Sequence, residues 1–232
     1  MKPSLHISNL SIAATSAALV FSLSLGLFFA FEPAVTFGQT DEFTVRAEIT
    51  GELAFATTAD DITLTPAIAG LTGGFANGTT TVAVNTNNPA GYQMTIEFDD
   101  VTAMQEELGT SSIPNFAPAS PGEADFDFTM AAGDAGFGYT VFSNTNTADT
   151  NSIFLNDGTS DCSTGTTGIL GKCWFSTADA TVAQNIVNRA SPTPGTGATT
   201  TLAFQVGVGA NPNPALPTGF YTATTTLTII DN

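Results

Sequence analysis

Apolar and polar residues alternate with a period of two in several stretches of this chain. Across Phe43–Ile49, the residues Phe43, Val45, Ala47 and Ile49 share one face, while Thr44, Arg46 and Glu48 share the other. Tyr92, Met94, Ile96 and Phe98 follow the same pattern, as do Leu202, Phe204, Val206 and Val208. Near the end, Tyr221, Ala223, Thr225, Leu227 and Ile229 alternate with Thr222, Thr224, Thr226 and Thr228. Successive side chains of a strand point to opposite faces, so one apolar and one polar face predict strands with one side on a core. Weaker alternation at 79–84, around Phe126 and Phe128, and at 136–142 adds further candidates. Stretches rich in Asn, Pro and Gly, at 85–91, 191–197 and 210–219, punctuate the strands as turns.

Helical periodicity is confined to 104–108 and 177–187, and the second reads equally well as a strand. Many short strands joined by turns predict an all-β fold, an antiparallel Ig-like β-sandwich. The closing strand is expected to form a long hairpin with Leu202–Val208, burying Tyr221, Leu227 and Ile229 and leaving Thr224 and Thr226 in water. One internal echo runs through the chain. Thr79-Thr80-Thr81-Val82-Ala83-Val84 leads to Asn88-Pro89-Ala90-Gly91-Tyr92, and Thr199-Thr200-Thr201-Leu202-Ala203-Phe204 leads to Asn213-Pro214-Ala215 and Gly219-Phe220-Tyr221. It reads either as a duplicated hairpin or as coincidence in a threonine-rich chain.

The N-terminal region differs from the rest. Lys2 precedes an uncharged apolar run, Leu10–Phe31, which the small residues of Ala34–Gly38 follow. A basic start, an apolar stretch and small residues describe a secretory signal peptide over 1–38, cut before Gln39. The run of 22 residues is also long enough to span a bilayer as a retained anchor. Both readings place 39–232 outside the cytoplasm as a single β-sandwich domain, secreted or at the cell surface, with the membrane touched only through an uncleaved N-terminal segment.

Charge then narrows the partners. The chain has 4 Lys and Arg against 21 Asp and Glu. After residue 38 the bases are Arg46, Lys172 and Arg189, and the formal charge stays at −17 because Lys2 and Glu32 leave together. Nucleic-acid binding rests on bases that neutralise phosphates, so nucleic acid is excluded as a partner. The cysteines, Cys162 and Cys173, are close in sequence in an exported chain, and are expected to form a disulfide. Trp174, just beyond, is expected to be a core residue packed on it.

Catalytic candidates are sparse. The one histidine is His6, within the predicted signal, which removes His-based triads and the usual zinc ligands from the rest. The chain is expected not to be an enzyme and to need no cofactor, with calcium as the one candidate ion. Calcium needs only oxygen ligands held in turns. Asn156, Asp157 and Asp161, with Gly158 allowing a tight wrap, form the preferred candidate loop. Glu97 with Asp99 and Asp100, and Asp125 with Asp127, are alternatives, and a solvated acidic surface is the plain reading of all three.

Leu216-Pro217-Thr218-Gly219-Phe220-Tyr221 and the alternating strand after it resemble the closing strand of bacterial surface β-sandwiches. The chain resembles the spore-coat-U and fimbrial-type secreted domains and the WxL-like cell-surface proteins, with TVRAEITGELAF and NPAGYQMTIEF placed like their early strands. The early cysteine pair of fimbrial subunits and the duplicated Trp-x-Leu signature are both missing. The resemblance implies a cell-surface structural or fimbria-like subunit that assembles with itself or with other surface proteins. The alternative is an adhesion module that binds glycan or calcium. Phe43–Ile49 is a candidate for strand addition to a partner's sheet, or for pairing inside its own sandwich.

Overall fold

The computed structural model describes residues 42–177 and 182–232. The chain divides into two compact units, Met1–Glu48 and Ile49–Asn232. The predicted signal segment lies outside the described residues. Of the first unit, 42–48 carry no strand and are exposed.

Among its described residues the second unit holds eleven strands: β1 Leu53–Thr57, β2 Gly74–Thr86, β3 Tyr92–Phe98, β4 Met104–Glu106, β5 Ser112–Ile113, β6 Ala135–Ser143, β7 Phe175–Ser176, β8 Gln184–Arg189, β9 Ala198–Val208, β10 Tyr221–Thr222 and β11 Thr225–Asp231. They form one sheet in the order β1-β2-β9-β6-β7, a second in the order β11-β3-β8, and a small third, β10-β4-β5. The fold is an antiparallel β-sandwich, as the alternation predicts. Its core lies between the first two sheets. Val82, Val84, Phe137, Tyr139, Leu202 and Phe204 come from one side, and Tyr92, Met94, Ile96, Phe98 and Ile186 from the other.

The first sheet is also covered on its outer face. There Phe116, Phe128, Trp174 and Ala203 form a second apolar cluster, with Met130 against it. Close approach is allowed by glycine: a Cβ on Gly207 would fall 2.6 Å from Met130, and one on Gly138 would fall 3.0 Å from Phe116. This explains why GFGYTVF alternates small and large residues instead of polar and apolar ones.

Several expected elements differ from the structure. Phe43–Ile49 forms no strand, and the first strand begins at Leu53. Residues 104–106 are a strand rather than a helical turn, because they extend β3 and pair with β10 and β5. Phe126 and Phe128 lie in irregular chain tied down by the Asp125–Trp174 bridge. The 177–187 stretch is strand from Gln184 on, and 178–181 lie outside the described residues. Trp174 is buried, but its ring packs edge-on to Phe128 at 5.4 Å, in the outer cluster rather than on the disulfide.

The closing hairpin is corrected as well. β11 pairs with β3 over its whole length, while β9 lies in the other sheet between β2 and β6. The long Asn- and Pro-rich turn carries the chain from one layer to the other. The echo is therefore a pair of arches, β2 to β3 and β9 to β11, each crossing from the large sheet to the small one. Equivalent residues face each other in both layers. Thr81 pairs with Thr201, Thr80 with Leu202 and Val82 with Thr200, and the Thr81 and Thr201 hydroxyls are 3.1 Å apart. Below them Ile96 pairs with Leu227 and Phe98 with Thr225. The two arches are thus related by an approximate twofold axis through both sheets.

One buried ion pair locks an end of the sandwich. Arg189 on β8 donates from Nη1 to Asp149 Oδ2 at 2.6 Å, and from Nη2 to the Pro192 carbonyl at 2.8 Å. Both charged residues are buried. Burial, with the Asp149 charge nearby, pushes the Tyr92 phenol up to about 12.

Replacing Asp149 by Ala leaves the Arg189 charge buried without its carboxylate. It should cost about 3–5 kcal/mol, read as a lowered denaturation midpoint with an unchanged β-type far-UV spectrum. A second expectation concerns alkali. A phenol whose folded pKa lies above its unfolded value of 10.0 contributes stability that is complete below pH 10 and is lost as pH rises toward about 12. Unfolding scans across that window should show the loss, and Tyr92→Phe should flatten it.

Candidate functional site

The edges of the two main sheets are not equivalent. β7 is two residues long. The outer side of β8 is capped by the preceding 3-10 turns, where Thr150 bridges Val187 and Asn151 N–H donates to the Ile186 carbonyl at 3.0 Å. β1 is five residues long. β11, at seven residues, ends its sheet opposite β3, and among the described residues no loop backbone bonds to its outer side.

β11 also keeps the alternation read from its sequence. Leu227 and Ile229 are half-buried toward the core, whereas Thr226, Thr228 and Ile230 are exposed on the outer face. Tyr221 and Ala223, just before it, lie against the core edge. The Tyr221 hydroxyl donates to the Pro217 carbonyl at 3.0 Å. Partial burial, then the Glu106 charge, raise its pKa.

Beside this edge opens a groove of about 1040 Å³. One wall is Ala59–Ile68 and the other runs from Leu216 to Thr225, with Phe137, Leu202, Phe204 and Val206 beneath. Asp60, Asp61 and Glu107 stand among its lining residues, so an apolar floor meets acidic side chains. Core residues of the large sheet thus lie at the base of an open slot.

The stretch 42–50 is the other unusual feature. Phe43 is 83% exposed, Val45 83% and Ile49 87%. Scattered exposed apolar residues are ordinary, but a strictly alternating row of them is not. Arg46 sits in the middle of that row. Lys172 pairs with Asp127 and stacks over the Phe126 ring at 4.5 Å, and Arg189 pairs with Asp149. Among the described residues, Arg46 is the base that forms no ion pair.

The predicted calcium residues fall in the disulfide loop, with differing roles. Asn156 is fully buried, and its Oδ1 accepts from Gly158 N–H at 2.9 Å. Asp157 accepts the Thr159 hydroxyl at 2.6 Å and the N–H groups of Thr159, Ser160 and Asp161 at 2.9, 3.0 and 3.2 Å. These donors, the hydroxyl first, hold its carboxyl well below the usual carboxylate range. Asp161 is exposed, and Ser160 donates to its carboxylate at 3.4 Å. Asp157 therefore folds a turn around itself, with its oxygens taken by the chain's own donors. Among the described residues, no three His, Cys, Asp or Glu side chains are grouped to hold a metal ion. The alternative acids also diverge: Asp125 accepts from Ala119 N–H at 2.9 Å, and Asp127 pairs with Lys172.

Cys162 and Cys173 are bonded, with Cα atoms 5.6 Å apart. The bond anchors the Asp157 turn to the fully buried Cys173, beside β7. Replacing both cysteines by Ser should cost about 3 kcal/mol by the chain-entropy relation and keep the fold, since most of the core cluster that Cys173 joins comes from the strands of the two main sheets. Thermal unfolding checks the loss, and intact mass before and after reduction and alkylation checks the bond.

The groove and the open β11 edge are what the sequence reading missed. The echo held the signal. Two arches with equivalent strands imply equivalent neighbours, yet among the described residues β3 has an outer neighbour and β11 has none. Compared with known proteins, the chain matches no family model and no curated sequence.

Proposed function

We propose that this chain is an extracellular structural subunit of a cell surface, acting through strand-edge contacts with other protein chains. The observation that carries this reading is an alternating apolar segment, Phe43–Ile49, held in solvent by a chain that also leaves a seven-residue strand edge open. Backbone groups of an edge strand are a ready template for another strand, and main-chain bonds with alternate side-chain pockets give such contacts affinity and choice. The disulfide supports an oxidising, extracytoplasmic setting.

The acidic surface sets the conditions. A net charge of −17 makes like chains repel. That repulsion is screened as the Debye length falls from about 30 Å at 0.01 M salt to about 3 Å at 1 M. Purified chain beginning at Gln39 should therefore form higher-mass species that grow with protein concentration and with salt. Light scattering and negative-stain microscopy read this directly. A chain that stays monomeric throughout, and is retained on a glycan array, would belong to the adhesion class instead.

A further inference from the structure

We infer that the outer edge of Tyr221–Asp231 is the acceptor, and that its occupant is Phe43–Ile49 of a second copy of this chain. The inference rests on the strand-edge reading above and supplies its partner and place.

The twofold relation of the arches defines the acceptor. On the first arch, β8 covers the outer side of β3, pairing Arg189 with Tyr92 and Val187 with Met94. β8 also puts Ile186 and Val187 into the core, both fully buried. With Tyr92 matched to Tyr221, the residues equivalent to Tyr92, Met94 and Ile96 are Tyr221, Ala223 and Thr225. All three line the groove, together with Leu227. No strand of the described chain occupies the position related to β8, and the groove lies where that strand's inward side chains would be.

The donor follows from the required chemistry. The added strand must be extended, with apolar side chains at alternate positions to cover the Phe204 and Val206 floor. Its opposite face must remain polar. Phe43, Val45, Ala47 and Ile49 supply the first face, and Thr44, Arg46 and Glu48 the second. Its seven residues match the seven of Tyr221–Leu227, the stretch equivalent to β3.

Charge selects a copy of this chain as the partner. Arg46 forms no ion pair among the described residues, in a protein of net charge −17. It therefore suits an acidic surface, and this chain is one. With the apolar row facing the groove, Arg46 emerges on the outer face of the sheet. The acid on that face is Glu97 of β3, opposite Thr226. An added strand lies two spacings, about 10 Å, from β3. Long Arg and Glu side chains reach toward each other over the short threonines between.

The test uses the full chain from Gln39 in four forms: unaltered, Val45→Asp, Val45→Ile and Arg46→Glu. Light scattering gives the mass, and amide hydrogen exchange gives the protected strand. We expect the unaltered chain to associate with slowed exchange at Phe43–Ile49 and Tyr221–Asp231. Val45→Ile should retain both effects, Val45→Asp should lose both, and Arg46→Glu should weaken association. Association that survives Val45→Asp, or protection at β1 or β7 instead, overturns this assignment while strand-edge assembly stands. A monomer with the Tyr221–Asp231 amides protected means the segment folds back on its own chain, which overturns the second copy as occupant. A monomer with both segments unprotected overturns this inference and the structural-subunit reading together.

Discussion

Phe98 reaches from the small sheet into three rings of the large one: Phe137 at 6.0 Å, Tyr139 at 5.5 Å and Phe204 at 6.5 Å. Tyr139 in turn meets Phe154 at 5.7 Å and Phe175 at 6.0 Å, so one aromatic cluster joins β3, β6, β7, β9 and a 3-10 turn. Aromatic side chains bury large areas in defined edge-to-face geometries, which a chain with few charged or long aliphatic residues needs. Two sheets packed on such a cluster are held about 10 Å apart. That separation explains the groove. Where β8 or the outer loops fill the gap between layers the core is closed, and beside β11 the described chain supplies only flanking side chains such as Ile62, Leu64 and Leu216, so the groove stays open.

The twofold arrangement and the aromatic cluster depend on each other. Each arch sends a threonine-rich strand into the large sheet and returns into the second sheet, as β3 from Tyr92 and as β11 just after Tyr221, so β2 and β9 lie side by side above β3 and β11. The arches then diverge in what the chain adds. The first gains β8 and its buried Arg189–Asp149 pair. The second gains the outer cluster of Phe116, Phe128 and Trp174, which covers β6 and β9 from the far side. Stability is therefore concentrated on the β8 side of the small sheet and the outer side of the large one. The β11 edge receives neither.

The strands most legible in the sequence were those with one face in water. β3 and β11 alternate cleanly, and the structure keeps every one of their inward and outward assignments. β6 and β9 are buried on both faces, so their sequences show glycine, alanine and threonine where a solvated face would show charges. Pairing partners were hidden for a different reason. A turn such as NPNPALPTG can close a hairpin or bridge two layers, and composition does not separate those outcomes. Phe43–Ile49 was the opposite case. Its pattern is that of a strand, but pattern specifies only which face would be buried, and among the described residues it has no strand neighbour. The disulfide was legible because eleven residues of separation leave a short loop for two cysteines to close. The Asp157 turn was not, since the same Asn, Asp and Gly that suit a cation also suit a self-bonded loop.

An open edge beside an apolar groove is ordinarily an aggregation hazard, blunted by charge, proline or a cover. This chain applies those devices unevenly. β8 is covered by a 3-10 turn, β7 is cut to two residues, and Pro66 lies just beyond the bridge that holds Thr65 to Asn77 beside β2. β11 carries threonine on its outer face and Ile230, half-exposed, with no base and with its acid at the last strand position, Asp231. Threonine suits a strand and does not repel a neighbour. What keeps the edge from indiscriminate pairing is the charge of the whole molecule, which acts at long range and weakens in salt. In the assembly we propose, a short-range match overcomes it, and Arg46, which forms no ion pair among the described residues, supplies that match from an alternating apolar segment. Repulsion between whole chains with attraction at one strand favours few, specific contacts over many weak ones.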